Sequence, residues 1–394
     1  MLRAKPFVLG LGCLALFVIV FNTLSVVHLA HLERTLRQGD TPPRYTPRKL
    51  HFLTLADDPR PAICLVAAAV HAMGHQLQVL AWNHSTKFFD NTSCGAQCGA
   101  NTANDFRVGQ QKKTHWLHHY IESHPDLHDD DLLLYTDAYD VVVQMPMDVL
   151  TQRFLRQTKG QRGILFNAEP TCGDSFTLGG DYGDQLRAAS FDVRLNTSSS
   201  ARSVRGSYMC DEIRARSVAQ SHGTGPNLFL GSGGILGDVA SVRAYLRRVK
   251  QVHKAQQDAY EAGTSPFFFY GDQISFQLAY VQFPELNAQV DRDGDIFFVV
   301  SSSVAHGTFE HLTPNSGCSS AYYVNGSGSR LTWSGSAPVF FHFPGGFKFM
   351  YASCARAVTA HLVHSAKQPP VMYDVDRQVP IAIASICPEY APST

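Results

Sequence analysis

The chain has 394 residues, 44% of them hydrophobic, and its 33 basic and 33 acidic side chains cancel to a formal charge of zero. That length and apolar content allow one large domain, or two ordinary ones, with a sizeable core. The balanced charge, with no basic run interleaved with aromatics, argues against a nucleic-acid partner and against bulk electrostatic steering.

Arg3 and Lys5 precede an apolar segment from Phe7 to Phe21, continued more weakly from Leu24 to Ala30, and no acidic residue occurs before Glu33. About 20 apolar residues span a bilayer, and a positive flank stays on the cytosolic side. The expectation is a cytoplasmic tail over 1–5, a signal-anchor helix over 6–30 and a proline-containing stem over 31–49. A cleaved signal peptide is the other reading; both send the chain into the secretory pathway, to the Golgi or endoplasmic reticulum. Sequons at Asn83, Asn91, Asn196 and Asn325 agree with that route. Apart from Cys13 in the apolar segment, eight cysteines remain, enough for four disulfides of open connectivity. Cys94 and Cys98 stand close enough in a small, polar loop to pair locally.

Leu50 to Ala56 reads as a strand, Pro61 to Met73 as a helix with proline in its first turn and Gly74 past its end, and Leu77 to Trp82 as a second strand. This is the βαβ start of a doubly wound sheet. No GxGxxG follows the first strand, which argues against a dinucleotide cofactor. A polar loop is expected over 83–109, a helix over about 112–124, a strand over 132–136, a helix over 147–157 and a strand over 163–167. Residues 173–224, rich in Gly, Ser, Arg and Asp, read as a long, irregular insertion. An apolar, glycine-rich run covers 228–237, helices 241–257 and 271–281, and strands 296–300 and 338–342. The folded domain is expected over 50–365, with a C-terminal tail over 366–394. No internal repeat is visible.

The chemistry concentrates where the strand from Leu132 ends in Asp137-Ala138-Tyr139-Asp140. Buried carboxylates cost several kcal/mol, of order ~5, unless something compensates them. In parallel α/β sheets ligands bind beyond the carboxyl ends of strands, and a hard divalent cation takes oxygen ligands from carboxylates and a diphosphate. Alone, such a pair is more often two solvated loop acids. Three further pieces stand in the same chain. Gly231-Ser232-Gly233-Gly234 lets backbone approach a sugar or phosphate closely, or forms a plain turn. Asp272 opens a helix, where an N-cap is the ordinary role. His342 ends a strand beside Gly345, Gly346 and Lys348, and imidazole joins carboxylates readily around Mn²⁺ while a lysine suits phosphate.

In this order the pieces resemble the glycosyltransferase domain of the procollagen lysyl hydroxylase / collagen glucosyl- and galactosyltransferase group. The matching residues are Gly109-Gln-Gln-Lys-Lys113, Trp116-Leu117, Asp137-Ala-Tyr-Asp140, Ala168-Glu169, Cys172, Ser232-Gly-Gly234, Asp272-Gln273 and His342, over roughly 50–350. The resemblance implies a GT-A-type α/β fold, a Rossmann-like mixed sheet flanked by helices that binds a nucleotide-sugar. It also implies Mn²⁺ held by Asp137, Asp140 and His342, and a UDP-sugar donor. Lys113 would approach the nucleotide, Tyr139 would flank the uracil–ribose, and Ser232, Gly233 and Gly234 would lie along the donor sugar. Gly345, Gly346 and Lys348 would meet phosphate, and Asp272 and Glu169 are the candidate catalytic acids. The expected activity is transfer of glucose or galactose to a hydroxyl on a protein, of hydroxylysine type, or on a glycan. The sequence departs from the pattern at Gly231, where the group has Asn, and at Phe343-Pro344-Gly345-Gly346, where it has G-N-G after the His. The acidic run before Asp272 is reduced, and the insertion has no counterpart. These departures motivate a second reading, a lumenal carbohydrate-binding or scaffolding protein with a degenerate transferase fold.

Overall fold

Strand β1 (Leu50–Leu55) pairs in parallel with β2 (Leu77–Leu80) on one side and with β3 (Leu132–Asp137) on the other. The computed structural model describes residues 44–56, 59–82, 102–170, 172, 190–193, 202–220, 225, 227–263, 272–300, 337–344, 348–363 and 369–390. Tyr45–Thr394 form one compact unit, and of Met1–Arg44 only Arg44 is described. The expected tail, signal-anchor and most of the stem therefore lie outside the described residues, as do the four sequons and the Cys94–Cys98 loop. Among the described residues no helix is long and apolar enough to cross a membrane.

Helix α1 (Pro61–Ala72) follows β1, with Pro61 in its first turn and Gly74 at φ 80° just past its end. Helix α2 (Thr102–Ser123) leads into β3, and β4 (Val141–Val143) and α3 (Met147–Gln157) follow it. After β5 (Ile164–Glu169) come β6 (Ser190–Val193), β7 (Arg202–Arg205) and α4 (Gly206–Gln220). Next are β8 (Phe229–Asp238), α5 (Val239–Glu261) and α6 (Gln273–Gln282). The chain closes with β9 (Ala288–Asp291), β10 (Phe297–Val299), β11 (Phe340–His342), α7 (Lys348–Val363), β12 (Val371–Asp374) and β13 (Val379–Ala382).

The main sheet has the order β13-β12-β2-β1-β3-β8-β5-β9. Strands β12, β2, β1 and β3 are parallel, β8 runs antiparallel to both β3 and β5, and β9 is parallel to β5. The fold is thus mixed α/β. Alternation along β3 divides the core. Leu133 and Tyr135 join a cluster with Leu117 of α2, Tyr245 of α5 and Phe276 of α6, whereas Leu132 and Leu134 join one with Ile63 and Val66 of α1. Helices on both faces explain why these strands are near-continuously apolar. A second sheet, β10-β11-β4, packs beside the main one.

Four expectations are revised. Helix α2 starts at Thr102, well inside the expected polar loop; its first turns are polar in sequence and carry no apolar stripe to announce them. The insertion at 173–224 contains a β6–β7 antiparallel pair and α4, fastened by a Cys172–Cys210 disulfide. Among the described residues, Met209, Ile213 and Ser217 mark the buried face of α4, a stripe too thin to read as a period. Of the two readings of the glycine-rich run at 228–237, the turn is excluded: β8 is a ten-residue strand, buried throughout, in the interior of the sheet, and its pairing with β5 shifts register between Phe166 and Ala168. The segment expected as a tail supplies β12 and β13, and β12 docks on β2.

A disulfide joins Cys64 of α1 to Cys387 across a separation of 323 residues, and Cys354 is disulfide-bonded too. Cross-linking so long a loop restricts the unfolded chain strongly, and such bonds stabilise by about 2–5 kcal/mol. Replacing both Cys64 and Cys387 by Ala lowers the unfolding free energy by that amount in a urea titration, and added reductant then shifts the midpoint less than in the parent.

Candidate active site

Strand β3 carries Asp137 to the carboxyl edge that β1, β2 and β3 share, and the short turn through Ala138 and Tyr139 brings Asp140 beside it. His342 arrives from far along the chain because β11 pairs antiparallel with β4, in the register His342↔Val141. The Phe343 amide donates to the Asp140 carbonyl at 2.8 Å and locks that register next to the acid. Asp137, Asp140 and His342 each offer a ligand atom, and the three atoms lie within 4.8 Å of one another. His342 Nε2 stands 3.4 Å from Asp140 Oδ1 and 3.6 Å from Asp137 Oδ2.

The residues fit a divalent cation. His342 is 6% exposed, and neither ring nitrogen has a hydrogen-bond partner. A buried polar atom left so is costly, and a cation shared with the two carboxylates would satisfy it with the N and O donors that Mn²⁺ accepts. Electrostatics agree. Burial pulls the imidazole pKa down, but Asp140, Asp137 and Glu169 together hold it above the ordinary value. Burial pushes the Asp140 carboxyl up, yet His342 and Lys348 hold it below the usual carboxylate range. The cluster calls for positive charge.

Two lysines supply part of it. Lys348, first residue of α7 and 55% exposed, sits 3.1 Å from Asp140 Oδ2. Lys113 of α2 lies 2.9 Å from Asp137 Oδ1 and 2.9 Å from Asp272 Oδ2, and donates to the Ser232 carbonyl at 3.4 Å. Asp272 occupies the N-cap position of α6 without making a side-chain cap bond; its carboxylate turns to Lys113. Glu169 ends β5, accepts from Asn167 Nδ2 at 3.1 Å, and is pushed by burial toward the protonated form, with His342 and Asn167 opposing.

The glycines of β8 make room for this. A Cβ on Gly233 would stand 2.5 Å from the His342 ring and 2.9 Å from Asp137 Oδ2. One on Gly231 would stand 2.5 Å from the Asn167 amide and 2.6 Å from Glu169, and one on Gly234 would enter the Phe297 ring at 2.7 Å. Ser232 between them is buried. Tyr139 is half-buried, with the Arg60 guanidinium 5.0 Å from its ring centroid. Gly345 and Gly346 lie outside the described residues.

Three residues at the site carried no expectation: Tyr135, whose hydroxyl donates to Asp137 Oδ1 at 3.4 Å, Asn167 and Arg60. The first two had a signal. Each stands two positions before a site acid on the same strand, and period 2 puts such pairs on one face. Arg60 had none, because its position depends on how the β1–α1 connection turns.

A mixed α/β sheet with an acid–acid–imidazole cluster at the carboxyl edge of its parallel strands is the arrangement of an enzyme acting on a ligand seated at that edge. Residues 49–190 match the family model of the PLOD GT domain. Over that stretch the chain resembles a PLOD-like glycosyltransferase domain, and the matched residues include Lys113, Asp137, Asp140 and Glu169. No curated protein matches the chain. Among solved structures, it is similar to the apo crystal structure of mouse xyloside xylosyltransferase 1, at 11% identity and a TM-score of 0.33, over 67% of this chain and 92% of that one.

Two outcomes are expected. Gly233→Ala displaces the His342 ring or Asp137, and lowers divalent-metal affinity at least about tenfold in a Mn²⁺ EPR titration with little change in far-UV circular dichroism. Burial also lowers the pKa of His253 on α5 from 6.5 to about 4, with Asp272 opposing. The unfolded chain then binds more protons through that window, so this histidine's contribution to stability falls as pH drops from 6.5 toward 4. Urea titrations of His253→Gln show a flatter pH dependence over the same range.

Proposed function

We propose that this chain is a GT-A-type hexosyltransferase that uses Mn²⁺ and moves glucose or galactose from a UDP-sugar to a hydroxyl, on a hydroxylysine-like side chain or an existing glycan. The observation that carries the reading is the convergence of Asp137, Asp140 and His342 on one point at the carboxyl edge of the sheet. The glycosyltransferase-domain match over 49–190 supports the reaction class.

A bound divalent cation supplies Lewis-acid neutralisation of the diphosphate as it leaves. The chain's own residues do the rest. Asp137 and Asp140 orient their carboxylates toward the shared point, and His342 adds a neutral imidazole nitrogen once its proton is displaced. Lys348 is exposed enough to turn from Asp140 to a phosphate oxygen and stabilise the charge that develops there. Tyr139 presents a ring face to the uracil–ribose, with Arg60 behind it. Glu169, whose carboxyl pKa burial raises, is the candidate acid beside the sugar. Gly231 and Gly233 let Asn167, Glu169, His342 and Asp137 pack directly against the β8 backbone.

The disulfides fit an oxidising compartment, and the apolar N-terminal segment fits a type II anchor with the domain in the lumen of the Golgi or endoplasmic reticulum. The deciding assay is UDP release from UDP-glucose and UDP-galactose with and without Mn²⁺. Turnover is expected with Mn²⁺ alone, and Asp140→Ala should lower it by about 100-fold or more. A purified, folded protein that turns over neither donor with Mn²⁺ removes the enzyme reading.

A further inference from the structure

We propose that Asp272 is a positioning residue that acts through Lys113 on the metal-binding carboxylate of Asp137, rather than through contact with the sugar. The inference rests on the metal site proposed above.

Four elements meet at one nitrogen. Lys113 Nζ, from α2, reaches Asp137 Oδ1 at the end of β3, Asp272 Oδ2 at the start of α6 and the Ser232 carbonyl on β8, at 2.9, 2.9 and 3.4 Å. The two carboxylate contacts are close ion pairs, and the Ser232 carbonyl accepts a hydrogen bond from the same nitrogen. The lysine side chain is 12% exposed and that of Asp272 is 3% exposed, so neither is offered to solvent.

The effect on Asp137 is directional. Its Oδ1 is held by Lys113 and by the Tyr135 hydroxyl at 3.4 Å, which leaves Oδ2 toward His342. The carboxylate is thereby fixed in an orientation that offers one oxygen to the shared point. Without Asp272, Lys113 loses one of two carboxylate partners, concentrates its charge on Asp137 and is free to shift toward the metal ligands. Both changes weaken cation binding. The vacant cap agrees with this assignment: a carboxylate at the start of a helix ordinarily caps it, and Asp272 makes no such bond.

A double-mutant cycle read by Mn²⁺ EPR, without nucleotide or sugar, tests the relay. Outer partners of metal ligands contribute about 10–100-fold in affinity. Asp272→Asn is expected to weaken Mn²⁺ binding about tenfold in the parent, and by less than about twofold in the Lys113→Met background, because the path is already cut. Equal losses in both backgrounds, or no loss in either, overturn the relay. So does an Asp272→Asn variant that keeps Mn²⁺ affinity and loses affinity only for UDP-hexose over UDP, the mark of a sugar contact. If Asp272→Asn does not fold, Lys113→Arg carries the test. It keeps the charge, but a planar fork cannot put one nitrogen among three acceptors, and Mn²⁺ affinity falls about tenfold; unchanged affinity overturns the proposal. Parent protein that binds no Mn²⁺ defeats the metal site itself, an outcome distinct from a parent that binds and a variant that binds equally well.

Discussion

Negative charge gathered at the edge of a buried sheet is the constraint on which the rest of this structure turns. Asp137, Asp140, Asp272 and Glu169 converge where α2, β3, β5, β8, β11 and α6 meet, and like charges so close repel one another. The chain resolves the conflict differently at each acid. Asp272 shares Lys113 with Asp137, Asp140 takes Lys348 and His342, and Glu169 leans toward protonation. The two nitrogens of His342, which make no hydrogen bond, face the Asp137 and Asp140 carboxylates, and the three together could hold a cation.

Bringing His342 there requires two sheets to approach closely, and β8 is what permits it. A central strand rich in glycine loses both packing and conformational entropy, and the sequence there leaves a close backbone approach and a plain turn as alternatives. The structure shows what is gained. The Phe297 ring of the second sheet lies against Gly234, and Phe297 stacks on Phe340, two residues before His342. Gly233 then faces the His342 ring itself. The absence of β-carbons along one strand sets the distance between the sheets, and that distance brings the imidazole within reach of the carboxylates.

This divides what the sequence makes legible from what it does not. The β1–α1–β2 start, the strand ending at Asp137 and the helices at 147–157 and 273–282 were readable, because proline, glycine and apolar runs punctuate them locally. The site residues were named from motif order, which carries residue identity and no orientation. It therefore could not reveal that Lys113 points at two carboxylates, or that Asp272 turns away from its helix cap. Helix α4 was missed because its burial depends on partners distant in sequence, with Met209 and Ile213 its buried apolar residues among those described. Strands β12 and β13 were missed for a similar reason. Four residues each, bounded by polar turns, they look like a tail until β2 is there to receive them.

That last docking orders events during synthesis. Strand β2 is complete by residue 80, but its outer edge is covered only when β12 arrives some 290 residues later, and the bond from Cys64 waits for Cys387. Until then the growing chain presents a short apolar strand with unpaired amides and carbonyls, the kind of edge to which other strands add. A nascent chain halted before Val371 would therefore carry Asp137, Asp140 and His342 beside an unsealed sheet edge.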